Sequence, residues 1–594
     1  MMTPAAQIAA LVQRRPLLMI TLGWAAISLM LALASPHLAE RRFPDVDDAL
    51  RLVQVRDLLA GQAWFDVHQY RIAPPEGTLM HWSRLVDIPL AALLWLLMLV
   101  LPASQAELIT TIAIPLLLLL ATMLVVGRLA SERLGGAVAV CAGLAMVVAP
   151  VVATQFQPMR IDHHGWQILC VAVALWAVFR HDARRGAMIA GLAMASGMLI
   201  SLETIVMAAS FAALLTLRWL ADPRASIWLV RYLQSLALGL AGLFAATRGL
   251  GDLAPHCDVI APAHLGFFGI VAIGASLLAL RRGLHPAALL AGLAASGLAG
   301  LVWVAWMAPA CLAPPFAGLD PLVRDNWYLN VTEGLPIWRR PLPEALPAAL
   351  QTLLALAIAG YAALRGAPPT RGWWREYAVL LALAILAGFA TYRSIAFAGM
   401  MATIPLGWFT MQMIARWQAS PRLLGKLGAV AMLYAALLPG AIILLALSVI
   451  DPVNTKQISG ATASNCALQR NAHKLDALTP AKLFAPLDLG PEILNYSHHS
   501  IVASGHHRSE RRMRDVIAAF TSDAETARKL VLANDAQFVV VCTDLMEVAL
   551  YQTKGGHDSL AARLAKDAPP AWLEPVALGM PESFRVWRVV PAPK

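Results

Sequence analysis

The chain has 594 residues, of which 59% are hydrophobic and 14% are charged. Soluble domains carry about 25% charged residues, so the composition excludes a soluble globular protein and predicts a polytopic α-helical membrane protein. The formal net charge of +10 does not indicate nucleic-acid binding, because the basic residues are spread over short loops between apolar runs. That distribution is typical of the positive-inside rule.

The alternation of apolar runs and basic loops predicts about thirteen membrane spans, with the N-terminus inside and the C-terminus outside. Arg14 and Arg15 precede the first apolar run, which has no convincing cleavage site, so we expect a retained first helix. The predicted spans lie at roughly 16–36, 107–127, 137–153, 165–180, 186–202, 204–217, 228–247, 263–280, 285–306, 345–364, 376–391, 395–414 and 427–449.

The apolar run at 87–103 is not counted among these spans. It is short, bounded by prolines and joined to the next run by a very short loop. We interpret it as a re-entrant or surface-lying segment, because only then does the alternation of sides hold. Residues 1–450 then form a membrane domain with two long outer loops, 37–106 and 307–344.

The polar C-terminal region, 451–594, is predicted to be a separate soluble α/β domain on the outer side. Helix-like stretches at Ser509–Ala519 and Ala524–Ala533 alternate there with the apolar β-type run Phe538–Val541, after a linker at Asp451–Gln457. Because the outer side is an oxidising compartment in this topology, disulfide bonds are expected to join two pairs of cysteines. The pairs are Cys257 with Cys311, and Cys466 with Cys542.

Three polar clusters lie on the predicted outer side, the first two at the edges of apolar segments and the third within a long loop. They are Asp45/Asp47/Asp48, Asp162-His163-His164 and Asn330-Val331-Thr332-Glu333. Carboxylates and imidazoles near hydrocarbon are usually functional, and converging loops of this composition suit a divalent cation such as Mg²⁺ or Mn²⁺. Two simpler interpretations stay open: Asp48 as a helix N-cap, and His163-His164 as an interfacial pair without a ligand.

The order and spacing of these motifs resemble the catalytic subunit of oligosaccharyltransferase, a GT-C glycosyltransferase that uses polyprenyl-linked sugars. In that family an Asp follows the first span, and an Arg-x-Leu follows nine residues later. The matching residues here are Asp47 with Arg56-Asp57-Leu58, Trp64-Phe65-Asp66, Pro75-Glu76-Gly77, His81-Trp82 and Leu85-Val86-Asp87. Asp162-His163-His164 is similar to the archaeal form of the second motif, and Thr332-Glu333 fits the motif of the long outer loop.

The resemblance implies roles for individual residues. Asp47, Asp162 and His164 would hold the metal, and Glu333 would position the acceptor beside it. Arg393 would contact the phosphate of the lipid carrier, since a bidentate guanidinium matches phosphate. The alternative for Arg393 is an interfacial residue that snorkels from the membrane.

One family motif is incomplete. The soluble domain of the family carries Trp-Trp-Asp-Tyr-Gly, whereas the nearest stretch here is Pro486-Leu487-Asp488-Leu489-Gly490, without either tryptophan. Reading of an Asn-x-Ser/Thr acceptor in the usual manner is therefore in doubt. His498 and His499 follow as candidates for acceptor contact, or as an ordinary polar loop.

Three functions follow from these patterns. The leading hypothesis is a metal-dependent transferase that moves a sugar or oligosaccharide from a polyprenyl-phosphate-type carrier to an outer-side glycan, lipid or protein acceptor. The alternative is a protein N-oligosaccharyltransferase with altered acceptor reading. A lipid or solute transporter is the third, although it predicts acids within spans and internal pseudo-symmetry, which the sequence lacks. For either transferase we expect residence in a bacterial inner membrane, with the C-terminal domain in the periplasm.

Overall fold

The computed structural model describes residues 10–281, 283–314, 316–443 and 464–590. Within these ranges nine helices are long and apolar enough to cross a membrane. They are Pro16–Ala34, Ala103–Leu134, Leu202–Ala221, Pro223–Thr247, Pro262–Ala279, Pro286–Met307, Leu342–Arg365, Pro368–Ala390 and Tyr392–Ala419. A tenth candidate is the pair Gly136–Val148 and Pro150–Phe156, which is bent by 76°.

The three remaining predicted spans correspond to shorter or less apolar helices. These are His164–Val178, Ala183–Ile200 and Leu423–Leu437. Every predicted span therefore has a helix at its position, and the prediction of a polytopic helical membrane protein is confirmed. The end of the last predicted span and the predicted linker Asp451–Gln457 lie outside the described residues.

The segment predicted not to span forms the helix Arg84–Met98. Its 15 residues extend for about 22 Å, less than the roughly 30 Å thickness of a hydrocarbon core. Asp87 in its first turn is fully buried between the guanidinium groups of Arg51 (3.0 Å) and Arg84 (3.1 Å). These ion pairs place the N-terminal turn of the helix in the outer loop. That the helix does not span the membrane stays a prediction.

The two long outer loops contain short elements that carry the polar motifs. The first has helices Pro36–Glu40 and Val46–Leu59 and an antiparallel pair of strands, β1 (His68–Gln69) and β2 (Thr78–Leu79). The second has the helix Pro321–Asn326, followed by 3₁₀ turns at Tyr328–Asn330, Thr332–Gly334 and Ile337–Arg339.

The C-terminal region contains a five-stranded mixed sheet in the order β4-β3-β5-β7-β6. The strands are β3 (Lys482–Phe484), β4 (Ser500–Ile501), β5 (Phe538–Cys542), β6 (Leu573–Pro575) and β7 (Phe584–Val589). The helices are Leu468–Asn471, Gly490–Tyr496, Glu510–Thr521, Ala524–Ala533, Met546–Gly555 and Leu560–Ala565. Every residue of the central strand β5 is buried, which explains its unbroken apolar sequence.

The first outer loop packs directly onto this sheet. Ile501 of β4 donates its N–H to the carbonyl oxygen of Arg71 (2.8 Å) and accepts the N–H of Ala73 (2.9 Å). The Arg71 guanidinium donates to carbonyl oxygens of Leu494 (2.9 Å) and His499 (3.0 Å). One face of the sheet shares its apolar cluster with the loop side chains Leu50, Val53, Ile72, Met80 and Trp82.

Two disulfide bonds are present, and they join the pairs that the topology predicts. Cys257 is bonded to Cys311, which connects the loop before Pro262–Ala279 to the second outer loop. Cys466 is bonded to Cys542, which fixes the start of the described C-terminal region to β5.

Candidate active site

The first acidic cluster opens the helix Val46–Leu59. Asp45 is its N-cap, since its backbone is extended and its Oδ1 accepts the N–H of Asp47 (3.1 Å). The interpretation of Asp48 as the cap is therefore wrong. Asp48 is fully buried instead, and its Oδ1 accepts the N–H of Asp162 (2.8 Å) from a loop 114 residues away.

Arg160 connects the three aspartates at the centre of the cluster. Its guanidinium lies 2.9 Å from Asp45 Oδ2, 3.1 Å from Asp48 Oδ2 and 3.8 Å from Asp162 Oδ2. The side chain is 7% exposed, so it is held within protein. The guanidinium thereby fixes the spacing of carboxylates that come from two different loops.

Asp162 also organises the two histidines that follow it. Asp162 Oδ1 is hydrogen-bonded to His163 Nδ1, and Asp162 Oδ2 lies 3.4 Å from His164 Nε2. Ligand atoms of all three residues lie within 4.8 Å of one another. His164 is the first residue of the helix His164–Val178, so the group is fixed to the end of a membrane helix.

Glu333 and Arg393 come from two further loops and interact with the acidic cluster through their charges. Arg393 Nη1 is 2.5 Å from Glu203 Oε1, and a Cβ at Gly334 would lie only 2.8 Å from Arg393 Nη2. The backbone N–H of Tyr392 donates to Leu335 (2.9 Å), which joins the second outer loop to the turn that carries Arg393. Arg393 is thus paired within protein, while Thr332 accepts a hydrogen bond from Arg340.

The pKa directions agree with a common centre for these loops. Burial and the carboxylates of Asp45, Asp162 and Glu333 raise the pKa of Asp47 well above its usual range. Burial raises the pKa of Glu333 although Arg393 opposes it. Burial alone would raise the pKa of Asp162 too, but His163, His164 and Arg160 hold it well below the ordinary value.

The C-terminal candidates occupy different environments. Asp488 precedes the helix Gly490–Tyr496 with its side chain open to solvent. Desolvation by the surrounding protein raises the pKa of Asp488 to about 6, and the negative charge of Asp45 raises it further. The charge of Asp488 is therefore influenced by that of Asp45 in the first acidic cluster. His499, by contrast, uses both ring nitrogens on backbone groups, and His498 pairs with Asp476 (3.0 Å), so these two histidines belong to the architecture of their loop.

A tryptophan from the second outer loop lies beside Asp488. A Cβ placed on Gly505 would be 3.2 Å from Trp327 Nε1 and 4.0 Å from Asp488 Oδ1. The two side chains therefore flank the same glycine, although they are 161 positions apart in the sequence. No local sequence pattern indicates this pairing, because Trp327 lies far from the incomplete motif at 486–490.

Comparison with solved structures identifies the fold. No family model and no curated protein matches the sequence. The archaeal oligosaccharyltransferase AglB from Archaeoglobus fulgidus, in complex with an inhibitory peptide and a dolichol-phosphate, has a TM-score of 0.69 at 14% identity. The alignment covers 95% of this chain and 73% of that one. The chain has an oligosaccharyltransferase-like fold.

Two further structures of the Archaeoglobus fulgidus oligosaccharyltransferase agree with this result. The form tethered to an acceptor peptide containing the NVT sequon has a TM-score of 0.66 at 14% identity, covering 98% of this chain and 75% of that one. The complex with Zn and sulfate has a TM-score of 0.61 at 13% identity, covering 97% and 74%. The fold expected from the sequence motifs is confirmed.

Two residues of the candidate site were absent from the sequence prediction. Arg160 lies two positions before Asp162, and Glu203 lies at a turn between two spans. Each is a charged residue at the end of an apolar segment, which is the signal that could have found them. Their partners are distant in sequence, so the pairing itself is visible only in three dimensions.

The donor set fits a divalent cation. Six acids, Asp45, Asp47, Asp48, Asp162, Glu203 and Glu333, face two guanidinium groups, those of Arg160 and Arg393. Carboxyl groups therefore outnumber guanidinium groups in this largely buried cluster. Asp162, His163 and His164 place oxygen and nitrogen ligand atoms within 4.8 Å of one another. Asp47 interacts electrostatically with Asp162 and with Glu333.

Proposed function

We propose that this chain is a metal-dependent glycosyltransferase. It moves a sugar or oligosaccharide from a polyprenyl-phosphate-type lipid carrier to an acceptor on the outer face of the membrane. The observation that carries the proposal is the meeting of three loops at one charged centre: Asp47, Asp162 with His164, and Glu333 opposite Arg393. The dolichol-phosphate and peptide bound to the archaeal enzyme of the same fold support a lipid-linked donor and an outer acceptor.

Asp47, Asp162 and His164 would hold the cation, and mixed carboxylate and imidazole ligands suit Mg²⁺ or Mn²⁺. When bound, it would supply positive charge where the leaving phosphate develops negative charge. Asp48 and Arg160 contribute indirectly: the N–H···Oδ1 bond from Asp162 to Asp48 and the Arg160 ion pairs keep the carboxylates in place.

Arg393 would bind the carrier phosphate, because its guanidinium is oriented by Glu203 and stands beside the acidic cluster. Glu333 would orient the acceptor nucleophile and accept its proton, since burial makes this carboxylate more basic than usual. The 3₁₀ turn Thr332–Gly334 presents Glu333 next to Arg393, so acceptor and phosphate would meet at adjacent side chains.

We infer residence in a bacterial inner membrane, with the C-terminal region in the periplasm. The two disulfide bonds support an oxidising compartment on the side of the candidate site. The apolar helices and the oligosaccharyltransferase-like fold both support a multi-pass membrane protein.

The test is transfer of labelled sugar from a membrane extract of lipid-linked sugars to acceptor glycans, lipids and peptides. Asp47→Asn, Asp162→Asn and His164→Gln should each reduce transfer by at least about 100-fold, because a cation site loses its geometry with one ligand. The matched control is Asp182→Asn, an exposed helix cap in a predicted inner loop. Transfer that continues at the unaltered rate in excess chelator, or in all three variants, contradicts the proposal. A transporter would leave label on the carrier.

A second candidate is a protein N-oligosaccharyltransferase with altered acceptor reading. The observation that favours it is Trp327, which brings an indole N–H beside Asp488 from another segment. We still expect a standard Asn-x-Thr peptide to be a poorer acceptor than a glycan, lipid or non-sequon substrate. Efficient glycosylation of that peptide, lost in Glu333→Gln and reduced in Trp327→Ala, would establish the second candidate instead.

A further inference from the structure

A second histidine cluster lies outside the candidate active site, where three segments meet. His81 comes from the first outer loop, Asp258 from the loop before Pro262–Ala279, and His506 and His507 from the C-terminal region. Ligand atoms of His81, Asp258 and His507 lie within 4.8 Å of one another. The ring centroid of His81 is 4.7 Å from that of His506 and 5.0 Å from that of His507.

The cluster is held in place by contacts around it. Arg508 donates to both carboxylate oxygens of Asp258, at 2.9 and 2.8 Å. Arg248 donates to the carbonyl oxygen of His81 (2.8 Å) and pairs with Asp252 (3.2 Å). Arg508 therefore pairs with the carboxylate of the cluster itself, whereas Arg248 pairs with Asp252 outside it. Such fixation of ligands by outer contacts is typical of metal centres.

The imidazoles of this cluster retain ring nitrogens for coordination. His81 Nδ1 is bonded to His506 Nε2 at 2.7 Å, which leaves His81 Nε2 available for coordination. His507 Nε2 lies 2.7 Å from Asp258 Oδ2. His506 is 5% exposed, and its Nδ1 is buried without a hydrogen-bond partner among the described residues. A buried orphan nitrogen is costly unless something else satisfies it.

Another histidine group of the same region lacks this property. Asp476, His498 and His499 also lie within 4.8 Å of one another. His499 Nδ1 accepts the N–H of Ala481 (3.1 Å), however, and His499 Nε2 is bonded to the carbonyl oxygen of Leu475 (2.8 Å). Both nitrogens are engaged, so that group has no spare ligand on His499. It serves as the comparison for the cluster around Asp258.

We propose that His81, Asp258 and His507 form a structural cation site suited to Zn²⁺. Two imidazoles with one carboxylate match the ligand preference of zinc, and a water or His506 would complete four-coordination. The site would fasten the first outer loop and the C-terminal region to the loop at Asp258. Cys257, the neighbouring residue, is disulfide-bonded to the outer loop that carries Glu333, so the same point would anchor a fourth segment. This inference does not depend on the proposed transfer reaction.

The experiment measures zinc in purified full-length protein. Asp162→Asn serves as the background, because it removes a ligand of the candidate active-site cation and leaves one site to count. The protein is incubated with excess zinc chloride, desalted and analysed for metal by mass spectrometry. One equivalent should remain in this background and in Asp162→Asn/His498→Gln. It should be lost when His507→Gln or Asp258→Asn is added.

Two additional measurements test the proposal even when the His507→Gln or Asp258→Asn variant fails to fold. Arg508→Gln removes the two donors that orient Asp258, together with a longer contact to the carbonyl oxygen of Met80 (3.5 Å), and it should weaken zinc binding about 10- to 100-fold. X-ray absorption on zinc in the Asp162→Asn background should show imidazole nitrogens at about 2.0–2.1 Å. Equal zinc content in the His507→Gln and His498→Gln variants, or a zinc spectrum without imidazole ligands, overturns the proposal. Sugar transfer at the unaltered rate in the Asp162→Asn protein, with one equivalent of zinc still bound there, would count against the proposed function alone.

Discussion

Asp48 is expected to stabilise the candidate active site rather than to take part in the chemistry. It is fully buried, accepts the N–H of Asp162 at 2.8 Å and pairs with Arg160 at 3.1 Å. Asp48→Ala leaves the buried N–H without an acceptor, which costs about 1–3 kcal/mol. Arg160 keeps Asp45 at 2.9 Å, so the lost hydrogen bond from Arg160 to Asp48 adds only about 1 kcal/mol. We expect about 2–4 kcal/mol of destabilisation.

The effect on transfer should be larger than the effect on stability suggests. Asp162 loses the bond that fixes its backbone, and a displacement of about 1 Å at a reacting centre can reduce rates about 100-fold. Asp48→Asn retains an oxygen for the Asp162 N–H and should show a smaller loss on both measures. Thermal unfolding and sugar transfer are measured for each variant, with Asp182→Ala as the control for a simple helix cap. An Asp48→Ala protein with unaltered unfolding temperature and transfer rate would refute this reasoning.

Three other predictions concern the C-terminal region. Replacing Cys466 and Cys542 by serine should lower the free energy of unfolding by about 4–5 kcal/mol, because the disulfide bond closes a loop with a sequence separation of 76 and so reduces the entropy of the unfolded chain. Unfolding with and without reductant measures this difference. Burial raises the pKa of Glu492 to about 7, so the folded state binds this proton more tightly than the unfolded state does. The free energy of unfolding therefore declines as pH rises from about 4.5 to 7. Glu492→Gln should therefore stabilise above pH 7 by up to about 3 kcal/mol and change nothing below pH 4.5, as seen in the unfolding temperature against pH. Arg71→Ala removes the donors to carbonyl oxygens of Leu494 and His499, and it should lower stability by about 2–4 kcal/mol and increase proteolysis of the C-terminal region.

Exposed residues of the same types provide the controls. Glu574→Gln is the exposed counterpart of Glu492→Gln, and Arg185→Ala should leave both stability and proteolysis unchanged. The account of Glu492 fails when its glutamine variant is equally stable at pH 5 and pH 8 relative to the unaltered protein. The account of Arg71 fails when its alanine variant resists protease as well as the Arg185→Ala control does.

The fold was predictable from local signals, because hydropathy and the position of basic loops depend on short stretches of chain. Asp47, Asp162 and Glu333 could also be chosen as candidate site residues, since charged residues beside apolar runs are unusual. The pairings were not. Asp48 reaches Asp162 across 114 residues, and the relation between Trp327 and Asp488 arises only when the second outer loop folds over the C-terminal region. Contacts between distant segments leave no pattern in a single sequence.

The way the first outer loop covers β4 has a practical consequence for dissecting this protein. Arg71 and Ala73 supply backbone partners to Ile501 at the edge of the sheet, and Trp82 and Ile72 cover one of its apolar faces. A fragment that begins at residue 464 would expose that edge and that face together. Open strand edges beside apolar surface recruit other chains, so such a fragment should aggregate. Fusion of the loop segment 43–82 to it should restore a monodisperse protein.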